Sequence, residues 1–407
     1  MKKRNFISYN ESILKLEFLR KGVRGFEKIP LQNSLGRVLA EDIVAQENSP
    51  EYPTASLDGY AIKVKDQQFE EIQIVEIDNP AGGELGEFEL QNGFAIKTFT
   101  GSVMPKGSDT LIQIENVTPK SGKLHINLKV SIGNGVRHVG EIYKTGDLIL
   151  KRGTIINSAE VGVLASLNIV SPKVVTKPRV AILSTGSEIL EVGEERKTSS
   201  QIRSSNNYTL EALILENGAI PIQMGIVKDD KDSMLETLQM AIDSQTEIIV
   251  TTGGVSVGDY DFVDEVIENL GFKMIFHGVK IKPGQHILIA KNDKSQIIIA
   301  LPGFAYSSTV TFILYVLPLI RDRLGLDFLP KKIEAKLEDK FYKKSKKTEF
   351  TTCNLEFKSG EILVDFKGKK VGTSAILTNM LGSANLLFSP EDSRDKEIGE
   401  IVEVILL

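Results

Sequence analysis

Tryptophan is absent, and cysteine is reduced to one residue, Cys353. A single thiol excludes an internal disulfide framework and a cysteine metal cluster, and it fits a reducing compartment. With no paired base nearby in sequence, Cys353 reads as inert. Four histidines, His125, His138, His277 and His286, show no metal-ligand spacing and read as structural. A basic excess is missing too: 49 Lys and Arg face 54 Asp and Glu, a net charge of -5, which argues against nucleic acid as a partner. Long apolar runs are also lacking. The longest, Val310–Ile320, is interrupted by Thr311 and Pro318 and falls short of the roughly 20 residues a bilayer span needs. Met1–Arg4 is basic, but Glu11 and Glu17 follow too soon for a signal peptide. The expectation is a cytoplasmic protein without membrane contact. With 407 residues, at roughly 100–200 per domain, it has two to four domains.

What is present is organised around residues 178–325. Val180–Ser184, Glu247–Thr251 and Ile297–Ala300 are short apolar runs. They stop at Thr185-Gly186, Thr252-Gly253-Gly254 and Leu301-Pro302-Gly303, and helical patterns follow. That rhythm predicts a parallel α/β sheet with ligand loops at the strand carboxyl ends. Within it the spacing predicts helices over Asn206–Glu216, Asp229–Ile242, Phe262–Leu270 and Ser307–Arg323, the last kinked by Pro318, and strands over Ile220–Val227 and Lys273–His277.

Upstream, Ser8-Tyr9-Asn10-Glu11 has capping-box spacing, with Ile13, Leu14, Phe18 and Leu19 predicted on one helical face. Ser34–Ala40 reads as a short helix. From Ile72 to Val130 short extended runs alternate with glycines, which predicts an inserted β module. Asp58-Gly59-Tyr60 is a turn feeding a strand over Ala61–Val64. Ser158–Leu167 is a helix with Val161, Leu164 and Ala165 on its apolar face. The fold class expected is multidomain α/β plus β. A linking α-containing domain spans 1–44 and 141–177, the inserted β module 45–140, the α/β core 178–326 and a small C-terminal β domain 327–407. Eight lysines fall in Lys331–Lys347; such a run either attracts anions or is plain solvated surface.

The richest stretch for chemistry is Thr252–Asp261. Gly253 and Gly254 allow close backbone approach, Ser256 adds a hydroxyl before Gly258, and Asp259 and Asp261 could hold a hard cation beside a phosphate. The plain alternative is a glycine-rich turn with a helix-capping aspartate. Thr185-Gly186 and Pro302-Gly303 repeat the arrangement, giving three polar loops at strand ends. No Gly-Lys-Thr or Gly-Lys-Ser ending follows, so this is not the triphosphatase loop, nor is it a dinucleotide fingerprint. Lys280 and Lys282 alternate with Val279 and Ile281, so both point to one side, as an oxyanion clamp or as solvated surface.

In order and spacing these stretches resemble the molybdopterin molybdenumtransferases, the MoeA proteins and the related C-terminal domain of gephyrin. The likeness runs through Ser34–Ala40, Ser56–Ala61, Thr100-Gly101 with Pro105 and Gly107, Arg179–Glu188, Thr252–Asp261, Ile281–Gly284 and Leu301–Gly303. It implies a molybdopterin-binding-like α/β core. It also implies an enzyme that takes adenylylated molybdopterin and molybdate, depends on Mg²⁺, inserts molybdenum into the dithiolene and releases AMP. Further implications are an elongated homodimer and partnership with other molybdenum-cofactor biosynthesis proteins. By the same resemblance Asp58, Thr100, Glu160, Asp261 and Lys282 are the catalytic candidates, with Asp58 and Asp261 the metal candidates. Thr185, Gly186, Gly253, Gly254, Ser256, Gly258, Pro302 and Gly303 are the cofactor-binding candidates.

Four positions depart from the family pattern. Ile142 and Ser204 stand where a carboxylate is usual, Gln285 where a lysine is, and Phe304 where an asparagine is. Lost charge weakens an anion and metal site, by roughly 1–3 kcal/mol each where buried. A second expectation therefore stands beside the enzyme: a catalytically impaired paralogue that binds a pterin or a partner protein as a scaffold. A third is a transferase or hydrolase for another phosphorylated ligand, with Phe304 stacking on a different ring.

Overall fold

The computed structural model describes residues 5–83, 88–228, 230–254, 263–370, 374–382 and 384–407. They divide into two compact units. One holds residues 1–40, 155–157 and 171–407; the other holds residues 41–154 and 158–170.

The chain opens with helix α1 (Tyr9–Glu17), whose first turn is closed by Ser8 accepting the N–H of Glu11. Its buried face differs from the one predicted. Leu14 and Phe18 are exposed, whereas Ser12 and Leu16 are buried, together with Leu19 just beyond the helix. Ser12 can lie inside because its hydroxyl donates to Tyr9 O and meets Tyr315 Oη at 2.8 Å. Residues 34–40 are no helix. A 3₁₀ turn at Leu31–Asn33 precedes them, and Val38 and Leu39 form isolated bridges to Ile155 and Val174.

The second unit is built on a six-stranded curled sheet. Its strands are β1 (Gly59–Ile62), β2 (Ile72–Ile74), β3 (Phe94–Thr98), β4 (Thr110–Gln113), β5 (Val117–Lys120) and β6 (Lys123–Ile126), in the order β4-β1-β3-β2-β6-β5. Gly59 and Tyr60 belong to β1 rather than to a turn. A Cβ at Gly59 would lie 2.1 Å from Ile112 O, so only glycine permits that strand pairing. Helix α2 (Ser158–Ser166) also lies in this unit; Leu164 is its buried residue, and Ala165 is exposed.

In the first unit the sheet has strands β7 (Arg179–Thr185), β8 (Ile220–Val227), β9 (Ile248–Thr252), β10 (Lys273–His277), β12 (Leu288–Lys291) and β13 (Ile297–Leu301). A two-residue strand, β11 (Ile281–Lys282), lies outside it. The order is β8-β7-β9-β13-β12-β10: four parallel strands extended on one edge by β12, antiparallel to β13, and then β10, antiparallel to β12. Because side chains alternate across a strand, Val180, Ile182, Val250 and Ile299 pack on one face with helix α3 (Asn206–Glu216) and the last helical segment. Ala181, Leu183, Ile249 and Ile298 pack on the other face with α4 (Lys231–Asp243) and α5 (Val263–Asn269). The last helical segment is broken by a π turn at Phe312–Val316, between α6 (Ala305–Thr311) and α7 (Leu317–Leu324). Pro318 therefore sits in the first turn of α7, where its missing N–H does no harm.

The C-terminal strands are β14 (Lys332–Leu337), β15 (Thr348–Lys358), β16 (Glu361–Asp365), β17 (Ala384–Ser389) and β18 (Ile401–Ile405). They run β15-β16-β14-β18-β17 and close through β15–β17 into a small barrel. Strand β11 adds to its edge, with Lys282 opposite Glu349.

Candidate functional site

Three strand ends converge in the first unit. Gly253 adopts φ +92°, and a Cβ there would stand 2.6 Å from Thr185 O, while a Cβ on Gly303 would stand 3.5 Å from the Gly253 Cα. The carboxyl ends of β7, β9 and β13 thus meet at Gly253, a position only glycine can fill. A seam of polar groups lines the junction. Ser184 Oγ donates to Asn207 Oδ1 at 2.5 Å and meets Thr252 Oγ1 at 2.8 Å. Asn206 Nδ2 donates to Gly303 O at 2.8 Å, and Ser308 Oγ donates to Asn206 Oδ1. Thr185, Gly186, Gly253, Gly254, Pro302 and Gly303 are therefore neighbours. Ser256, Gly258, Asp259 and Asp261 lie outside the described residues.

Beside Pro302 and Phe304 a cavity opens between Lys282, Gln285, Ser307, Lys347 and Ser374. The Lys347 ammonium donates to Gln285 Oε1, and Gln285 Nε2 meets His286 Nε2 at 2.8 Å. A cation thus reaches this cavity from the C-terminal barrel, although position 285 carries none. Lys280 and Lys282 each lie near a carboxylate of the barrel region, Glu391 at 3.6 Å and Glu349 at 3.8 Å. Asn206, Asn207, Ser307 and Glu349 escaped the reading of the sequence as site residues, whereas Lys347 closes the lysine run read as attracting anions or as solvated surface. Only the small polar residues after β13 hinted at any of them.

In the second unit Asp58 Oδ1 accepts both the backbone N–H and the hydroxyl of Thr100, each at 2.7 Å. The backbone bond first, then the hydroxyl, hold this exposed carboxyl below the usual carboxylate range. Such a hard, ionised oxygen suits a magnesium ion. Glu160 stands in the first turn of α2, in the same unit.

Other candidates resolve into structure. Glu338, Glu356 and Asp365 bring carboxylate oxygens within 4.8 Å of one another in the barrel. The Lys367 ammonium already stands 3.7 and 3.6 Å from two of them. Cys353 is buried in β15, and burial pushes its thiol up to about 12, so it stays protonated and unreactive. Within the lysine run, Lys332, Lys336 and Lys340 pair with Glu403, Glu361 and Glu397, while Lys343 donates to the carbonyls of Lys347 and Pro390. His277 Nδ1 is 3.1 Å from Asp264.

This arrangement, an α/β sheet with glycine-lined strand ends plus a curled sheet and a small barrel, is a multidomain α/β plus β architecture. Residues 7–168 match the family model described as the MoeA N-terminal region (domain I and II), and residues 181–322 match the probable molybdopterin binding domain. The chain is 33% identical over 368 residues to a molybdopterin molybdenumtransferase of Nostoc sp., covering 88% of this chain and 83% of that one. It is 30% identical over 418 residues to the Bacillus subtilis protein of the same name, covering 100% of this chain and 95% of that one. The crystal structure of the molybdopterin biosynthesis moeA protein from Pyrococcus horikoshii superposes with a TM-score of 0.81 at 29% identity, over 99% of this chain and 100% of that one. The chain belongs to the MoeA, or molybdopterin molybdenumtransferase, family. Among the described residues, no helix is long and apolar enough to cross a membrane.

Proposed function

We propose that this protein inserts molybdenum from molybdate into adenylylated molybdopterin and releases AMP. The observation that carries the reading is likeness over the whole chain to relatives bearing the name of that transferase. The geometry supports it. Lys282 and Lys347 put two ammonium groups at one cavity beside the strand-end loops, which suits a tetrahedral oxyanion or a phosphate. Gly253 and Gly303 let the three strand-end loops pack together beside that cavity. Asp58, kept ionised by Thr100, is a carboxylate that would take Mg²⁺, and the resemblance adds Asp261 as the other metal candidate. When bound, the ion supplies charge neutralisation at the bridging phosphate. Thr100 fixes the direction of the Asp58 carboxylate, and Glu160 offers a further carboxylate. The same reading takes the protein as a cytoplasmic homodimer, its domains divided at about residues 44, 140, 177 and 326 as the sequence pattern suggests.

The test is AMP release from adenylylated molybdopterin with Mg²⁺ and molybdate, for the protein and for Asp58→Ala and Asp261→Ala. Release that needs molybdate and fails in both variants supports the transferase. A specific observation favours the scaffold reading: Ile142 and Phe304 are 62% and 64% exposed, as apolar contact residues would be. Tight pterin binding without AMP release would decide for it.

A further inference from the structure

Phe304 presents an exposed ring on a fixed backbone. It stands between β13 and α6. On one side of it Gly303 O accepts Asn206 Nδ2 at 2.8 Å, and Asn206 is itself buried. On the other side Phe304 O accepts the N–H of Ser308 at 2.9 Å. Pro302, before both, has its φ set by its own ring. The main chain is therefore held on either side of a side chain that stays 64% exposed.

The cavity that Phe304 lines mixes two kinds of wall. Pro283 and Pro302 join it as apolar surfaces, while Lys282, Lys347 and Ser307 supply polar groups. Its volume is about 290 Å³, at the small end of what ligand pockets have. The Lys347 ammonium meets the neutral side chain of Gln285, so its charge is not cancelled there. Lys282 stands 3.8 Å from Glu349, and the adjoining cavity, which shares Lys282, adds Lys344, Lys369 and Lys370. Positive charge thus exceeds negative, and an anion is favoured beside the ring. An exposed phenyl alone is ordinary surface. A phenyl on a fixed backbone, sharing a small cavity with ammonium groups in excess, suits a ligand that is flat in one part and anionic in another.

We propose that Phe304 is a specificity-determining residue. Its ring stacks on the flat heterocycle of a ligand whose phosphate pairs with Lys282 and Lys347. No bond forms or breaks in this step. In the proposed reaction that chemistry has two sources, the adenosine phosphate and the pterin phosphate parts of the substrate. The inference rests on that reading and adds the group that grips the ring. A platform that holds the ring alike before and after reaction lowers KM and leaves kcat to other groups.

The experiment is calorimetric titration of the full chain with AMP, with a pterin monophosphate and with ribose 5-phosphate, which lacks the ring. At least one ring phosphate should bind more tightly than ribose 5-phosphate, and the preferred one names the source. In Phe304→Leu its affinity should fall about tenfold, within the usual range for a lost stacked base, with ribose 5-phosphate unchanged. Phe304→Trp should restore it. Because the chain has no tryptophan, that variant carries a single indole, whose emission the preferred ring phosphate should quench and ribose 5-phosphate should not. The proposal is overturned if no ring phosphate binds better than ribose 5-phosphate, if Phe304→Leu leaves the preference unchanged, or if ribose 5-phosphate weakens as much. AMP release from adenylylated molybdopterin is measured apart. Release with an unchanged KM in Phe304→Leu overturns the platform and leaves the transferase standing, whereas absence of both release and binding takes down both.

Discussion

Asp58 and Thr100, 42 positions apart, meet twice on a single oxygen: Oδ1 accepts the N–H and the hydroxyl of Thr100, each at 2.7 Å. Both donors favour the ionised carboxylate, so the folded pKa lies below the unfolded one. The stabilisation is then fully present above the unfolded pKa and is lost as pH falls through the folded one. Thr100→Val removes the hydroxyl and leaves the larger backbone contribution. The Asp58 carboxyl should therefore titrate higher, yet still below the ordinary range. An NMR titration of that carboxyl reads the shift, and the acid limb of AMP release should move the same way. An unmoved titration would mean that the hydroxyl does not act on Asp58.

A second prediction concerns how the segment after α1 is held. Asp322 is buried on α7. Burial by itself would raise its pKa; the N–H groups of Lys21 and Gly22, at 2.7 and 2.8 Å, then Arg20 and Arg323, outweigh it and leave the carboxyl low. Asp322→Asn takes from Arg323, 1% exposed, the more buried of two counter-charges and leaves it Glu247 at 2.9 Å, 23% exposed. Loss of about 3 kcal/mol is expected, as for other buried pairs that lose one member. Because the folded pKa is depressed, the deficit relative to the unaltered protein should be full near neutral pH and shrink as pH falls below the unfolded carboxyl range. Urea unfolding at two pH values checks both size and sign. A deficit that grows on acidification would refute the pairing.

The joint between α6 and the barrel turns on one phenol. Tyr306 Oη accepts the N–H of Thr352 at 3.2 Å, bonds its hydroxyl at 2.7 Å, and donates to Phe350 O. Tyr306→Phe strands a buried N–H and a buried hydroxyl, so a loss of about 2 kcal/mol is expected. Adding Thr352→Val to Tyr306→Phe should recover part of it, because an unpaired hydroxyl is removed as well. Chemical denaturation of the single and double variants decides, and additive losses would show that the groups do not interact.

Strong local periodicity made much of this fold legible. Helix Asn206–Glu216 and strands Ile220–Val227 and Lys273–His277 fall where the pattern put them, since their apolar spacing agrees with how they pack. The face of α1 was misread because Ser12 is buried by its hydrogen bonds, which hydropathy does not register. Strands β14 and β15 were hidden in or beside the lysine run, whose lysines bridge to carboxylates on other strands. The π turn at Phe312–Val316 has no sequence signal apart from an unbroken apolar stretch. Of the site, the three strand-end loops could be read from glycine placement. The meeting of Asp58 with Thr100 depends on β1 and β3 pairing, and no spacing within the sequence announces it.

The four departures from the family pattern should not behave alike when reversed. Ile142→Asp and Phe304→Asn act at exposed positions, so stability should change by no more than about 0.5 kcal/mol. If the protein is the transferase proposed, each should raise the rate of AMP release, by about tenfold or more where the restored group touches the transition state. Ser204→Asp differs: Ser204 is buried, and its Oγ finds no partner among the described residues, so a new carboxylate there should cost about 1–3 kcal/mol. Gln285→Lys differs again. The Lys347 ammonium already lies against the side chain at 285, and a second ammonium in its place repels it. The single variant should therefore gain nothing, whereas Gln285→Lys with Lys347→Gln should match the unaltered protein. Rates of AMP release and unfolding midpoints for the five proteins separate these cases. A gain in Gln285→Lys alone would show that Lys347 does not stand in for the missing lysine.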